Sequence, residues 1–151
     1  MQQLNLPEYQ FNIKRKDNSI VILDSLRKRW VSLTPEEWVR QNFVRFLIEE
    51  KEFPPPLMNN EISIIQNGIK RRCDTLVADR EGNPLVIVEY KAPSIAVSQK
   101  TFNQIVRYNM VLKAKYLIVS NGTSHYCCKI DYENNSYSFL EEIPCYSQLI
   151  D

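Results

Sequence analysis

The run Leu85-Val86-Ile87-Val88 constrains the fold most, because four consecutive apolar residues leave neither face of a strand for water. An apolar run of this length, bounded by turn formers, is typical of a central strand that is covered on both sides. The segment 79–84 before it is rich in turn formers, so the run over 73–78 should pair with it as an antiparallel hairpin. A sheet covered on both faces predicts an α/β fold.

Two helical patterns flank the strand-like runs. Thr34 as a cap, Pro35 at the first helical position and Glu37 three residues after the cap predict a helix that ends near Lys51, before a proline cluster. A second helical pattern covers 98–113, and strands are predicted over 61–65, 73–78, 85–89 and 116–119. Shorter β-favouring runs over 10–13 and 19–23 predict an N-terminal hairpin or lid, and those over 126–132 and 137–140 predict C-terminal strands.

Length and composition limit the domain organisation. At 151 residues the chain has the size of one ordinary domain, and 44% hydrophobic residues supply a core, which excludes a globally disordered chain. Lysine and arginine number 19 against 18 aspartates and glutamates, so the net charge of +1 does not by itself indicate a polyanion partner. We predict one domain over 1–151, with N-terminal strands or a lid over 1–33, a core over 34–122 and C-terminal strands over 123–151.

Targeting and metal-site patterns are also informative. The N-terminus lacks the basic start and apolar segment of a signal peptide, and no run approaches the 18 apolar residues of a membrane span. We therefore expect a cytoplasmic protein without membrane contact. The four cysteines and one histidine show neither a disulfide framework nor zinc-site spacing, so the thiols are expected to be free and structural.

Charged residues follow the central apolar run directly. Glu89 and Lys91 are two apart and project from the same face of a strand, and Asp74 lies across the predicted hairpin. Two carboxylates with a nearby lysine are what metal-assisted phosphodiester cleavage needs, since oxygen ligands hold Mg²⁺ and leave positions open for water and phosphate. A buried ion pair that ties the two strands together is the structural alternative.

Each predicted helix carries further candidates. Gln104 and Tyr108 are four apart on one helical face with Arg107 at its flank, which suits contact with a metal centre or a phosphate, or a polar flank in water. On the first helix Arg40 lies beside Glu37. The sequence leaves Glu37 two equal roles, as a capping-box glutamate or as part of the site.

Three clusters of basic residues occupy 14–16, 27–29 and 70–72. Phosphate contacts position a duplex without reading its sequence, and clusters of this kind can provide them. The third cluster leads straight into Asp74, so we predict phosphate contact there. For the first two, solvated edge-strand residues that discourage aggregation are an equal alternative.

Six segments, taken in order, resemble the N-terminal nuclease domain of type I restriction enzyme R subunits. They are TPEEWVRQ at 34–41, Glu61, KRRCD at 70–74, VEYKAP at 88–93, QIVRYN at 104–109 and VSNG at 119–122. That group belongs to the PD-(D/E)xK nucleases, and its Gln-xxx-Tyr helix is shared with RecB-type nucleases. The resemblance covers roughly residues 20–132.

The resemblance implies a fold and a chemistry. The fold is a restriction-endonuclease-like sandwich in the order α-β-β-β-α-β, with extra N- and C-terminal strands. The activity is Mg²⁺-dependent hydrolysis of DNA phosphodiester bonds, with Mn²⁺ as a substitute. Asp74 and Glu89 would be the metal-binding carboxylates, with the Tyr90 carbonyl as a further ligand, and Lys91 would position the attacking water.

The resemblance also assigns roles on the helices. Gln104 and Tyr108 would contact the site or the DNA, and Glu37 would be the acidic residue of the first helix, so that Glu37 and Gln104 join the predicted catalytic residues. The predicted nucleic-acid contacts are Lys70, Arg71, Arg72, Arg107, Tyr108 and Arg40.

One departure from that family affects the expected function. R subunits continue into an ATP-driven translocase, whereas these 151 residues contain no GxxxxGK[ST] loop. We therefore expect a metal-dependent endonuclease without a motor, unless another chain supplies one. DNA and other restriction or repair subunits are the expected partners, and cutting both strands would require a homodimer or repeated attack. The alternative is a non-cleaving DNA-binding or complex-assembly module that keeps the nuclease fold.

Overall fold

A small antiparallel sheet forms the N-terminal part of the molecule. The structure is a computed structural model that describes residues 1–150 and all their side chains except those of Ile64, Gln66 and Arg71. Strands β1 (Ile13–Lys16), β2 (Ser19–Asp24) and β3 (Arg29–Ser32) are hydrogen-bonded in the order β1-β2-β3. The predicted hairpin is confirmed. Its first strand begins at Ile13, later than predicted, because the polar segment Lys14–Lys16 supplies the register partners of β2.

The third strand of this sheet was not predicted. A turn stabilised by Asp24 precedes it, since Asp24 Oδ1 accepts hydrogen bonds from the backbone N–H groups of Leu26 at 2.7 Å and Arg27 at 3.0 Å. Leu23 then lies opposite Trp30 in the antiparallel register. The basic cluster at 27–29 masks the strand in the sequence, because lysine and arginine have low β-propensity on average.

Helix α1 (Pro35–Lys51) begins and ends as predicted. The Thr34 hydroxyl accepts a hydrogen bond from the backbone N–H of Glu37 at 3.0 Å, and Pro35 occupies the first turn. The helix buries Val39, Phe43 and Leu47 completely against the main sheet. A 3₁₀ turn (Pro55–Leu57) connects it to that sheet.

Six strands form the main sheet in the order β4-β5-β6-β7-β8-β9. Their bounds are β4 (Met58–Gln66), β5 (Ile69–Ala78), β6 (Pro84–Tyr90), β7 (Tyr116–Ser120), β8 (His125–Asp131) and β9 (Ser136–Leu140). Only the β6–β7 pair is parallel among these neighbours, and helix α2 (Gln99–Met110) makes the crossover between them. The predicted β5–β6 hairpin and the two C-terminal strands are confirmed.

Helices cover both faces of this sheet, as the apolar run predicts. Leu85, Val86, Ile87 and Val88 are all buried. Val86 and Val88 belong to the core beneath α1, while Ile87 belongs to the core beneath α2. The alternation places successive β6 side chains in opposite layers. The mixed α/β class and the element order helix, three strands, helix, strand are therefore confirmed.

A short helix α3 (Tyr146–Leu149), absent from the predicted elements, packs Tyr146 and Leu149 against the α1 side of the core. Within residues 1–150 no helix combines the length and apolar character needed to cross a membrane.

Candidate active site

Asp74 and Glu89 lie on neighbouring strands, at the end where the pairing of β5 with β6 stops. There the backbone N–H of Tyr90 donates to Asp74 Oδ2 at 2.9 Å, which fixes the orientation of that carboxylate. Lys91 follows β6 directly, and its backbone N–H donates to the Ser120 carbonyl on β7 at 2.9 Å. The fold thus brings the two predicted carboxylates and the predicted lysine to one edge of the sheet.

The carboxyl group of Glu89 is held in an unfavourable electrostatic environment. Burial raises the pKa of Glu89 to about 9, and the charge of Asp74, together with a hydrogen bond to it, adds to the rise. Lys91 and the amide of Asn109 oppose the rise only in part. Glu89 Oε1 is also buried without a hydrogen-bond partner. An orphaned carboxylate oxygen beside a second carboxylate is a fit for a bound cation, which would supply the missing interaction.

The cation ligands available from this chain are few. Within residues 1–150, His, Cys, Asp and Glu side chains nowhere gather in a group of three or more that could hold a metal ion. Asp74 and Glu89 supply two carboxylates, and the Tyr90 carbonyl is the predicted third protein ligand. Mg²⁺ commonly uses one or two carboxylates and keeps several waters, so a set this small suits it better than zinc.

Glu36 is a third acidic group near the pair, and the sequence analysis did not select it. Partial burial raises the pKa of Glu36, the charge of Asp74 raises it further, and Lys91 opposes the rise. The Glu36 side chain is therefore within electrostatic reach of both groups. Glu36 and Glu37 share the first turn of α1, and sequence pattern alone does not tell which of two adjacent glutamates faces the sheet.

Glu37 has a different environment from the two roles left open for it. Its Oε1 accepts from Arg27 Nη2 at 2.7 Å, and its Oε2 accepts from Arg40 Nε and Gln41 Nε2, both at 3.0 Å. Thr34 caps the helix, but the Glu37 carboxylate turns to these side chains instead of completing a capping box. Glu37 is buried, and its contacts make it part of an ion-pair network behind the site.

Arg40 is the centre of that network. Its guanidinium donates to Glu37, to Glu61 Oε1 at 2.6 Å and to the backbone carbonyl of Asp74 at 2.7 Å. Arg40 is only 4% exposed, so it faces the protein rather than a nucleic acid. This corrects its predicted role as a phosphate contact, because the fold commits the guanidinium to holding the segment that carries Asp74.

Glu61 links the network to β5. Its Oε2 accepts from Arg72 Nε at 2.7 Å. Partial burial would raise the pKa of Glu61, but Arg40 and Arg72 outweigh burial and hold that pKa below its ordinary value. Glu61 also has φ of 55°, a left-handed conformation inside a strand, and interrupts the register between Asn60 and Ile62. Such strain is concentrated at functional sites.

The remaining predicted contacts lie on exposed surfaces. Gln104, Arg107 and Tyr108 are exposed on α2, and in the described part of the chain no contact joins Gln104 to Asp74, Glu89 or Lys91. The α2 residue nearest the pair is instead Asn109, which is buried and influences Glu89.

Of the basic cluster at 70–72, Lys70 is exposed and Arg72 is exposed but paired with Glu61. The side chain of Arg71 lies outside the described ones. Lys70 is therefore the member of this cluster whose position agrees most simply with a phosphate contact.

An open cleft of about 540 Å³ lies beside the carboxylates. It separates the N-terminal sheet from the start of α1 and the segment after β6. Its walls include Val31, Ser32, Glu36, Arg40, Glu61 and Ala92. The cleft gives a bulky substrate access to the edge of the sheet where Asp74, Glu89 and Lys91 meet.

Comparisons with known proteins agree with the resemblance. Residues 35–144 match the family model of the type I restriction enzyme R protein N terminus (HSDR_N). A solved structure described as a fragment of an HsdR subunit of a type I restriction enzyme from Vibrio vulnificus YJ016 is similar in fold, with a TM-score of 0.53 and 23% identity. The similarity covers 78% of this chain and 24% of that one. No curated protein matches the chain.

Proposed function

Because the chain belongs to the family of type I restriction enzyme R protein N termini, we propose that this nuclease-related domain is a Mg²⁺-dependent deoxyribonuclease of the PD-(D/E)xK type. The proposal includes the restriction-endonuclease-like sandwich, with its nuclease core over 34–122. One observation carries it: Glu89 is buried beside Asp74 with its Oε1 unpartnered and its pKa raised to about 9. A carboxylate kept in this state costs stability, which a catalytic role would explain.

The alternative of a structural ion pair is less well supported. No ion pair among residues 1–150 joins Lys91 to Asp74 or to Glu89. A lysine selected for strand cohesion would satisfy the buried oxygen of Glu89, since an unpaired buried charge is costly. Lys91 instead influences both Glu89 and Glu36 through space, which suits a group that also faces a substrate.

In the proposed mechanism Asp74, Glu89 and the Tyr90 carbonyl would hold Mg²⁺, or Mn²⁺ as a substitute. When bound, the cation supplies positive charge that offsets charge on the scissile phosphate. Glu89 must release its proton to act as a ligand, so cation binding and ionisation of Glu89 are linked. The Tyr90 N–H keeps Asp74 turned toward the same place.

Lys91 has the chemistry to orient the attacking water and to stabilise negative charge that develops on the phosphate. Its backbone is anchored to β7, so the ammonium extends from a fixed point. Arg40 acts indirectly, because it binds the Asp74 carbonyl and the strained Glu61 and thus holds the segment that presents Asp74.

We propose DNA as the substrate and other subunits of a restriction system as partners, in the cytoplasm. With one site per chain, cleavage of both strands would need a homodimer or successive attacks. Sedimentation combined with the ratio of nicked to linear plasmid distinguishes these two cases.

The direct test is cleavage of plasmid and linear DNA by the purified protein with Mg²⁺, with Mn²⁺ and with EDTA. Asp74→Asn removes the ligand charge but keeps an acceptor for the Tyr90 N–H, and Lys91→Ala removes the ammonium. Each should lower the cleavage rate by at least about 10²-fold, as loss of a preorganised charged group does. Lys113→Ala, an exposed lysine after α2, is the matched control and should cleave normally.

Equal metal-dependent cleavage by the wild type and both site variants would overturn the proposed site. Retained DNA binding in a gel shift, with no cleavage and no cation binding by titration calorimetry, would instead favour the non-cleaving module that keeps the fold.

A further inference from the structure

Charge is distributed unevenly between the N-terminal sheet and the rest of the molecule. Residues 13–32 contain six lysines and arginines and two aspartates, a net charge of +4 in a chain whose total is +1. The other residues therefore carry −3. A local concentration of charge of this size acts over about 10 Å at physiological salt, so the near-neutral total conceals a cationic region.

Most cations of this sheet have no carboxylate to neutralise them. Arg27 is engaged with Asp24 and Glu37. The other five are exposed and take part in none of the ion pairs found in residues 1–150; we call them the basic surface: Lys14, Arg15, Lys16, Lys28 and Arg29. Solvated edge residues that only prevent aggregation do not require this excess of one sign, since interspersed charges of both signs serve as well.

The N-terminal sheet is fixed to the body of the protein. Ile22 is completely buried, and Asp24 accepts from Asn60 Nδ2 on β4 at 3.0 Å. Arg27 binds Glu37 of α1 at 2.7 Å. The basic surface therefore has a defined position relative to the candidate active site.

That position continues into the cleft. Val31 and Ser32 of β3 form one wall, and Glu36 and Ala92 belong to the wall next to the catalytic residues. Arg29 is two residues before Val31 on the same strand, so both side chains share one face of the sheet. A polyanion lying on the basic surface would reach the carboxylates through this cleft.

Trp30 adds a feature suited to a nucleic acid. It is 36% exposed, and Lys14 Nζ lies 4.1 Å from the centre of its ring. The pair offers an ammonium and an aromatic surface at one place. The sheet also lies entirely outside residues 35–144, the segment that matches the family model.

We propose that the basic surface binds the sugar-phosphate backbone of duplex DNA and directs it through the cleft to Asp74, Glu89 and Lys91. This deepens the proposed function and rests on it. Contacts of this kind give affinity and register without reading sequence. They also compensate for the acidic charge of the active-site region, which would otherwise repel a phosphate.

The test is the salt dependence of binding to a short fluorescein-labelled DNA duplex, followed by anisotropy in EDTA so that no cleavage occurs. The double variant Lys14→Gln, Arg29→Gln should lower the slope of log K against log salt by about 1.8, or 0.9 for each lost phosphate contact. The same relation predicts binding about 10- to 60-fold weaker near 0.1 M salt.

Two controls isolate the basic surface. Lys113→Gln, Lys129→Gln removes two exposed charges elsewhere, and Lys113, like Lys14, lies over an aromatic ring, that of Tyr132 at 4.8 Å. This control should bind DNA like the wild type. The charge-preserving variant Lys14→Arg, Arg29→Lys should keep the wild-type slope.

An unchanged slope in the first variant, an equal loss in the Lys113, Lys129 control, or no DNA binding by the wild type would each overturn the proposal. Cleavage with Mg²⁺ is scored separately. A basic surface that controls binding in a protein that never cleaves would preserve this inference and remove the proposed activity.

Discussion

Two groups of carboxylates lie next to each other in this molecule and are treated oppositely by the fold. In the network around Arg40, each oxygen of Glu37 and of Glu61 accepts a hydrogen bond from an arginine. In the candidate active site, Asp74 and Glu89 lie together and Glu89 Oε1 has no partner.

The difference separates support from function. Paired carboxylates keep their charge, as the lowered pKa of Glu61 shows, whereas burial beside Asp74 raises the pKa of Glu89 to about 9. A fold that places arginines so accurately a few residues away has left the second group without one. We infer that the network holds the backbone and that the unpaired group is kept for a ligand.

Removing the centre of the network should have the largest effect on stability. Arg40→Ala leaves Glu37 and Glu61 without their shared cation and the Asp74 carbonyl without its donor, and we expect a loss of about 3–5 kcal/mol. Urea denaturation measures it. Arg45→Ala, which breaks the exposed pair with Glu49 on the same helix, should cost less than about 1 kcal/mol.

A loss for Arg40→Ala as small as that for Arg45→Ala would contradict the supporting role of the network. Arg40→Lys is informative as well, because an ammonium retains the charge but lacks the planar donors that reach three acceptors. It should recover only part of the stability.

The opposite change is expected in the unpaired group. Between the ordinary glutamate pKa of 4.5 and about 9, folded Glu89 holds a proton that the unfolded chain has released. Its contribution to stability therefore falls as pH rises through this window, with a slope of at most about 1.4 kcal/mol per pH unit. Glu89→Gln removes this dependence and should make the metal-free protein more stable than the wild type at pH 8.

Denaturation in EDTA at pH 5, 6.5 and 8 compares the two proteins, and Glu81→Gln on the exposed turn before β6 serves as the control. If the advantage of Glu89→Gln over the wild type does not grow with pH, Glu89 is not the strained group inferred here.

Local patterns predicted the fold well where they carry the structure by themselves. The Thr34 cap and Pro35 located the start of α1, and the apolar run over 85–88 identified the covered central strand. Strand β3 and helix α3 were missed, because a basic cluster obscures the first and the second has only four residues. Pairing register and tertiary packing override propensity in such short segments.

The site was less accessible to sequence reasoning than the fold. The strand spacing brought Asp74, Glu89 and Lys91 into view because all three follow from one hairpin. The ion pair of Arg40 with Glu61 joins residues 21 apart, and the positive φ of Glu61 depends on strand pairing. Neither leaves a local signal, so Arg40 looked like a surface cation when it is a buried support.

Adjacent glutamates on α1 give the finest comparison, because Glu36 belongs to the unpaired group and Glu37 to the network. Glu37→Gln places an amide against Arg27 and Arg40 and should cost about 1–3 kcal/mol of stability. Glu36→Gln should change stability by no more than about 0.5 kcal/mol, since that side chain is largely exposed. Its effect should appear in cation binding, weakened about three- to tenfold by the loss of one nearby negative charge.

Titration calorimetry with Mn²⁺ and urea denaturation, applied to both variants, separate the two roles. Stability should fail in Glu37→Gln and cation affinity in Glu36→Gln. The reverse result would mean that Glu37 turns toward the cation and Glu36 does not, and the division between support and function would have to be redrawn through the first turn of α1. The expected result would place that division between two consecutive residues, a boundary set by which side of the helix faces Arg40.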